Sequence, residues 1–253
     1  MSTSEGVVWV AAHQFFIRDR DLRWDGAFSN DPWSGGDGLG VAPGLVAVQT
    51  PRAAGYAPVI VEVHEGEPAP SEGYCKVTEA SVEVSSGALL VEGEENDASG
   101  SPVEVALADG TWRVRVLYAD LDTCTYDDED GADHYVVQLF PGEEREAEIL
   151  APFENVDDPV RGYEGGESVE ALREVASVGS ASARCSAVVA LARLGALDEV
   201  LDVAQGGEPR STRVVAAGAL WLVQASEQLG ALAASEDAAV AHIAEMALGR
   251  LGG

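Results

Sequence analysis

The sequence predicts two successive architectures: an antiparallel β-sandwich over residues 1–152, then a short α-solenoid of paired helices over residues 167–253. Residues 153–166 join them. Three observations predict this. Apolar residues alternate with others in Pro58–His64, Lys76–Val84 and Trp112–Val116, which is the period of a strand. Composition changes after Pro152, where Ala and Leu at helical spacing replace the β-branched residues. The helical part also repeats itself, with Leu191, Leu220 and Leu248 marking equivalent places.

In chain order, Val7–Ala12 and Gln14–Ile17 are apolar and rich in β-branched or aromatic residues, so both read as strands. Asp19–Gly44 contains Asn30-Asp31-Pro32 and Gly35-Gly36-Asp37-Gly38 and reads as a long loop. Strands follow at Leu45–Thr50, Pro58–His64, Lys76–Val84, Ala88–Glu92, Val103–Leu107, Thr111–Ala119 and His134–Phe140. Gly/Pro/Asp turns separate them and no amphipathic helix intervenes, which is the spacing of an antiparallel sandwich. Alternation predicts a core holding Trp112, Val114, Val116, Tyr135, Val137 and Leu139. It puts Arg113 and Arg115 on the other face, where cross-strand carboxylates would pair with them.

Beyond Ser168 the segment Ala183–Gly195 recurs loosely at Thr212–Leu222 and Val240–Gly252, with shorter helices expected at Leu197–Ala204 and Glu227–Ala234. Glu170 falls in the first turn of the first helix, where it complements the dipole. One such pair cannot bury its apolar face alone, so pairs must stack. This part resembles short HEAT repeats.

Charge points towards function. The chain has 44 acidic and 15 basic side chains, a formal net charge of −29. Residues 1–166 hold 33 of the acidic and 9 of the basic groups; residues 167–253 hold 11 and 6. Such a surface repels nucleic acid and anionic membrane and attracts basic protein, with association accelerated by steering. Two runs concentrate the charge: Glu92, Glu94, Glu95 and Asp97, then Asp120, Asp122, Asp127, Asp128, Glu129, Asp130 and Asp133. No basic residue interrupts the second run. Closely spaced carboxylates can engage the Lys and Arg groups that a nuclease presents to phosphate, so these eleven residues are the expected partner-binding set.

Other chemistry finds little footing. The spacing of the second run does not match a calcium-binding EF-hand loop. Adjacent carboxylates in a hairpin loop lack the burial that separates acid from base in a catalytic pair. The four histidines are scattered, no nucleophile elbow is present, and Gly35–Gly40 lacks the Lys-Ser/Thr of a phosphate-binding loop. No enzymatic activity, metal or cofactor is expected. Cys75, Cys124 and Cys185 form no C-x-x-C pair, and the N-terminus shows no basic segment before an apolar run, so a cytoplasmic chain with reduced thiols is expected.

Several segments carry a family pattern. These are Tyr56–Pro68, Val77–Gly87, the stretch Asp109-Gly110-Thr111-Trp112-Arg113-Val114-Arg115-Val116, Asp120–Asp133, and His134-Tyr135-Val136-Val137-Gln138-Leu139-Phe140-Pro141-Gly142. Together they resemble the competence protein J family, small β-rich nuclease inhibitors and related bacterial immunity proteins. Trp112 stands where that family more usually has tyrosine. The resemblance implies neutralisation of a basic nuclease or other toxin by direct binding, and it transfers no contact residue. The rival expectations are a constitutive interaction scaffold without a toxin partner, and a calcium- or carbohydrate-binding β module.

Overall fold

The computed structural model describes residues 1–22, 38–69, 73–93, 102–124, 131–152, 168–206 and 209–252. Alternating segments form strands β1 (Ser2–Val10), β2 (Gln14–Asp19), β3 (Leu39–Ala42), β4 (Leu45–Gln49), β5 (Gly55–Val63) and β6 (Lys76–Val84). They continue as β7 (Ala88–Gly93), β8 (Val103–Ala106), β9 (Gly110–Ala119), β10 (His134–Pro141) and β11 (Glu148–Ala151). Two strands, β3 and β11, add to the predicted set. Both are short, and β3 emerges from the stretch expected to be loop.

The strands divide into a six-stranded sheet, β1-β5-β10-β9-β6-β11, and a five-stranded sheet, β3-β4-β2-β7-β8. The smaller sheet is antiparallel. The larger is mixed, because β10 runs parallel to β5 and antiparallel to β9. This corrects the expectation of a wholly antiparallel sandwich. Chain order suggests hairpins, and β9 with β10 is one, but the other flank of β10 pairs with β5, with four strands between them in the chain.

The period-two pattern fixes which face each residue serves. Ala57, Val59 and Val61 of β5, Ala80, Val82 and Val84 of β6, Val114 and Val116 of β9, and Tyr135, Val137 and Leu139 of β10 all face the second sheet. There they meet Phe15, Ile17, Val46, Val48, Leu89 and Val91. Trp112 packs against this core only partly buried. Burial of each valine, leucine, isoleucine or phenylalanine among them is worth about 1.5–3 kcal/mol, which locks the register, since a slip of one residue would turn the set outwards.

The opposite face of the larger sheet is charged yet buried. Arg113 donates to Glu79 Oε1 through Nε and Nη2 at 2.9 and 2.6 Å, and Arg115 Nε donates to Oε2 at 2.7 Å. Register explains the pairing: Glu79 on β6 lies directly across from Arg115 on β9, and Ser81 across from Arg113. Glu79 is 3% exposed. Changing Glu79→Gln removes the buried carboxylate that two buried guanidiniums share and leaves them the exposed Glu148 and Glu67, and we expect a loss of about 3 kcal/mol, read as a lower urea midpoint.

The C-terminal part forms six helices: α1 (Val169–Val178), α2 (Ala181–Arg193), α3 (Leu197–Gln205), α4 (Arg210–Leu222), α5 (Ser226–Leu232) and α6 (Ala238–Leu251). Ser168, Ser180 and Asp237 cap α1, α2 and α6, each side chain accepting from a backbone N–H of the first turn. Helix α1 packs on α2, α3 on α4 and α5 on α6, while α4 lies between α2 and α6. The repeated leucines 191, 220 and 248 fall on α2, α4 and α6.

The helices rest on the larger sheet. Val7, Tyr56 and Ala132 share one apolar cluster with α2, α4 and α6. Trp9 meets Tyr56 and His242 edge-on, at 4.8 and 5.5 Å between centroids. Polar links border this contact: Glu5 accepts from Arg184 at 3.0 Å and from the Ser211 hydroxyl at 2.5 Å. Backbones meet tightly at Gly218 of α4, where an added Cβ would lie 2.2 Å from the carbonyl oxygen of Gly131.

Candidate protein-binding surface

The second acidic run begins where β9 ends and finishes where β10 starts, so the two neighbouring strands hold its ends together. Asp120 adopts a left-handed backbone (φ 54°) and opens a short 3-10 turn over Leu121–Thr123. The Thr123 hydroxyl accepts from the Ala132 N–H at 2.8 Å, and itself donates to the Asp120 carbonyl at 2.5 Å. This bond joins the outgoing chain to the returning one.

The described carboxylates of both runs are engaged within the molecule. Asp133 is completely buried: Arg52 donates to one of its oxygens and the Tyr135 hydroxyl to the other, the latter at 2.5 Å. Burial alone would raise the Asp133 pKa, but the Arg52 guanidinium and the Tyr135 hydroxyl hold it below its ordinary value. Asp120 accepts from the Ser186 hydroxyl at 3.1 Å and lies 3.3 Å from His134 Nδ1. Asp122 pairs with Arg193 of α2 at 2.7 Å, and Glu92 with Arg18 at 2.5 Å. Asp127, Asp128, Glu129, Asp130, Glu94, Glu95 and Asp97 lie outside the described residues. The structure therefore makes Asp120 and Asp133 inward-facing anchors at the base of the run.

A third acidic stretch was missed, although its signal stood in the sequence. Glu143, Glu144, Glu146 and Glu148 occupy four of six consecutive positions, and all four are exposed. Arg145 holds this stretch to β6 through its backbone: its N–H donates to Ser81 Oγ at 2.8 Å, and its carbonyl accepts from Arg113 Nη1 at 3.3 Å. Beside it, a cleft of about 440 Å³ is lined in part by Val41, Pro43, Glu83, Thr111 and Glu144.

Among solved structures, the chain is similar to ComJ of Bacillus subtilis, an inhibitor of the DNA-degrading activity of NucA. The TM-score is 0.41 and the identity 14%, over 56% of this chain and 96% of that one. No protein-family model and no curated protein matches the chain.

Cation placement completes the electrostatics. Arg18, Arg20, Arg52, Arg113, Arg115, Arg173, Arg184, Arg193, Arg210 and Arg213 each sit in an ion pair within the chain. Lys76 lies over the Tyr118 ring and Arg250 over Trp221. These twelve cations are thus engaged within the chain, while Arg145 is exposed and Arg23 and Arg161 lie outside the described residues.

Other chemistry can be placed as well. Ser182, His134 and Asp120 lie in line, with 2.9 Å from Ser182 Oγ to His134 Nε2. The His134 ring is fully buried, and the Tyr74 hydroxyl donates to the same serine oxygen at 3.2 Å, so the trio bridges sheet and α2. Cys75, Cys124 and Cys185 are free. Burial raises all three thiols, Cys185 to about 12, so each stays protonated at neutral pH. Among the described residues, no group of three or more His, Cys, Asp or Glu side chains could hold a metal ion, and no helix is long and apolar enough to cross a membrane.

Proposed function

We propose that this chain is a non-enzymatic inhibitor that binds and neutralises a basic protein, a nuclease or another toxin, through the acidic surface of its β part. The observation that carries this reading is the pairing of ten arginines with carboxylates of the same chain, in a sequence whose formal net charge is −29. A field of that sign accelerates encounter with a cationic surface by about 10–10³-fold and weakens as salt rises. The choice of a nuclease among basic proteins comes from the motif resemblance across residues 56–142.

In this reading Asp127, Asp128, Glu129 and Asp130, with Glu94, Glu95 and Asp97, meet the partner's Lys and Arg groups. Glu143, Glu144, Glu146 and Glu148 extend the surface. Asp122 and Glu92 stand at its margins, and Asp120 and Asp133 hold its base. The β unit comprises residues 1–152 and 153–166 is the connection. The three helix pairs of 167–253 act as a short HEAT-like solenoid that bears on partner choice. The setting is cytoplasmic, in keeping with three free thiols.

The test uses the full chain immobilised in a lysate of its native host at low salt. We expect DNA-degrading activity to leave the flow-through and to return in a high-salt eluate. The triple change Asp127→Lys, Asp128→Lys and Asp130→Lys should retain less than a tenth as much. Activity that stays in the flow-through would overturn the reading, and full retention by the triple variant would remove the acidic loop from it.

A further inference from the structure

Strand β11 ends the larger sheet. It pairs with β6, and among the described residues no strand pairs with its other side. An unpaired edge is a row of N–H and C=O groups able to template another strand. This edge is also apolar: Ile149 is 41% and Leu150 46% exposed. Ile149 pairs in register with Thr78, whose side chain is buried against Tyr118 on the sandwich side of the sheet. Ile149 therefore projects to the core side but remains uncovered, because the sheet stops there. An added strand would cover it.

We propose that β11 is a docking edge for an extended basic segment of the partner, which joins the larger sheet as a further strand. The inference rests on the inhibitor reading above and deepens it. Charge selects the occupant. Glu143, Glu144, Glu146 and Glu148 run along and immediately before the edge, against a single Arg145. A second copy of this acidic chain would bring the same carboxylates opposite one another, which opposes pairing. Shortness and the register shift between Ile149 and Ala151 restrain self-association in the same way. A segment with Lys or Arg at alternate positions meets the opposite condition: its backbone completes the ladder, its cations face the glutamates, and its apolar positions cover Ile149.

The probe is a dye-labelled ten-residue peptide of alternating arginine and valine, compared with one of the same sequence methylated on every second backbone nitrogen. With the full chain at low salt, we expect the unmethylated peptide to bind at least tenfold more tightly by fluorescence anisotropy. Hydrogen exchange of the segment containing residues 148–151 should slow when it binds. Ile149→Lys, at an exposed position, should weaken binding about tenfold with an unchanged melting temperature. Equal binding of the two peptides, or unchanged exchange at β11, would overturn strand addition and leave a purely electrostatic surface. Failure of both peptides to bind would also overturn it. The inhibitor reading is judged separately, by whether nuclease activity is depleted from the lysate.

Discussion

Replacing Arg52 by alanine is expected to lower the unfolding free energy at neutral pH by about 3–5 kcal/mol, the usual cost of stranding one half of a buried ion pair. Arg52 is buried, donates to the Tyr56 carbonyl at 2.8 Å, and neutralises the fully buried Asp133. The pair clamps β10 to the approach of β5, next to the acidic run. Its pH signature follows from the direction of the Asp133 shift. Folding holds that carboxyl below its ordinary 3.8. Its contribution is therefore complete above the unfolded value and is lost as pH falls through the lower, folded one. In the alanine variant burial acts without the guanidinium, and the carboxyl moves upward. The variant then takes up a proton in its folded state, so its deficit against the parent should shrink as pH falls from 7 towards 4. Urea unfolding at several pH values measures this. A deficit that does not change with pH would show that the loss comes from packing alone. The pair Arg52→Met with Asp133→Leu should recover most of the stability, since apolar replacement of a buried ion pair is often neutral or better.

Gly218→Ala is expected to destabilise the chain by about 1–3 kcal/mol, the range of overpacked interiors. In an isolated helix the same change would gain roughly 1 kcal/mol. The reversal arises because the obstruction is backbone: a Cβ at 218 would stand 2.2 Å from Gly131 O and 3.1 Å from Gly131 C. Helix α4 would have to lift from the sheet and open the cluster that holds Val7, Tyr56 and Ala132. A melting temperature at or above that of the parent would show that the seam yields freely. Gly230, where an added Cβ meets nothing within 4 Å, is the matching control, and Gly230→Ala should not destabilise.

Much of the fold could be read along the chain, and the reasons are local. The alternation in β9 and β10 named the inward faces correctly, and the repeat placed α2, α4 and α6. Strand β11 escaped because four residues amid glutamates carry almost no periodic signal, and β3 because glycine and proline surround it. Parallel pairing of β5 with β10 is invisible locally, since it joins segments separated by four intervening strands. The acidic run was legible as charge but not as geometry. Even so, parity held a clue. Asp133 shares the phase of Tyr135, Val137 and Leu139, so the alternation that buried those residues also pointed this carboxylate inwards, towards a cation 81 positions away.

The place of β10 between β5 and β9 has a consequence for biosynthesis. While the ribosome is still short of residue 134, the six-stranded sheet can exist only as two ribbons, β1 with β5 and β6 with β9, with the β5 and β9 flanks that β10 will join left open. The central strand arrives last among the five longest, and at roughly 5–20 residues per second the gap after β5 lasts several seconds. Closure then depends on contacts between positions far apart in sequence, which slows it further. A nascent chain of this protein must keep those flanks apart from its neighbours on the polysome, and like charge on every copy supplies the repulsion that does so.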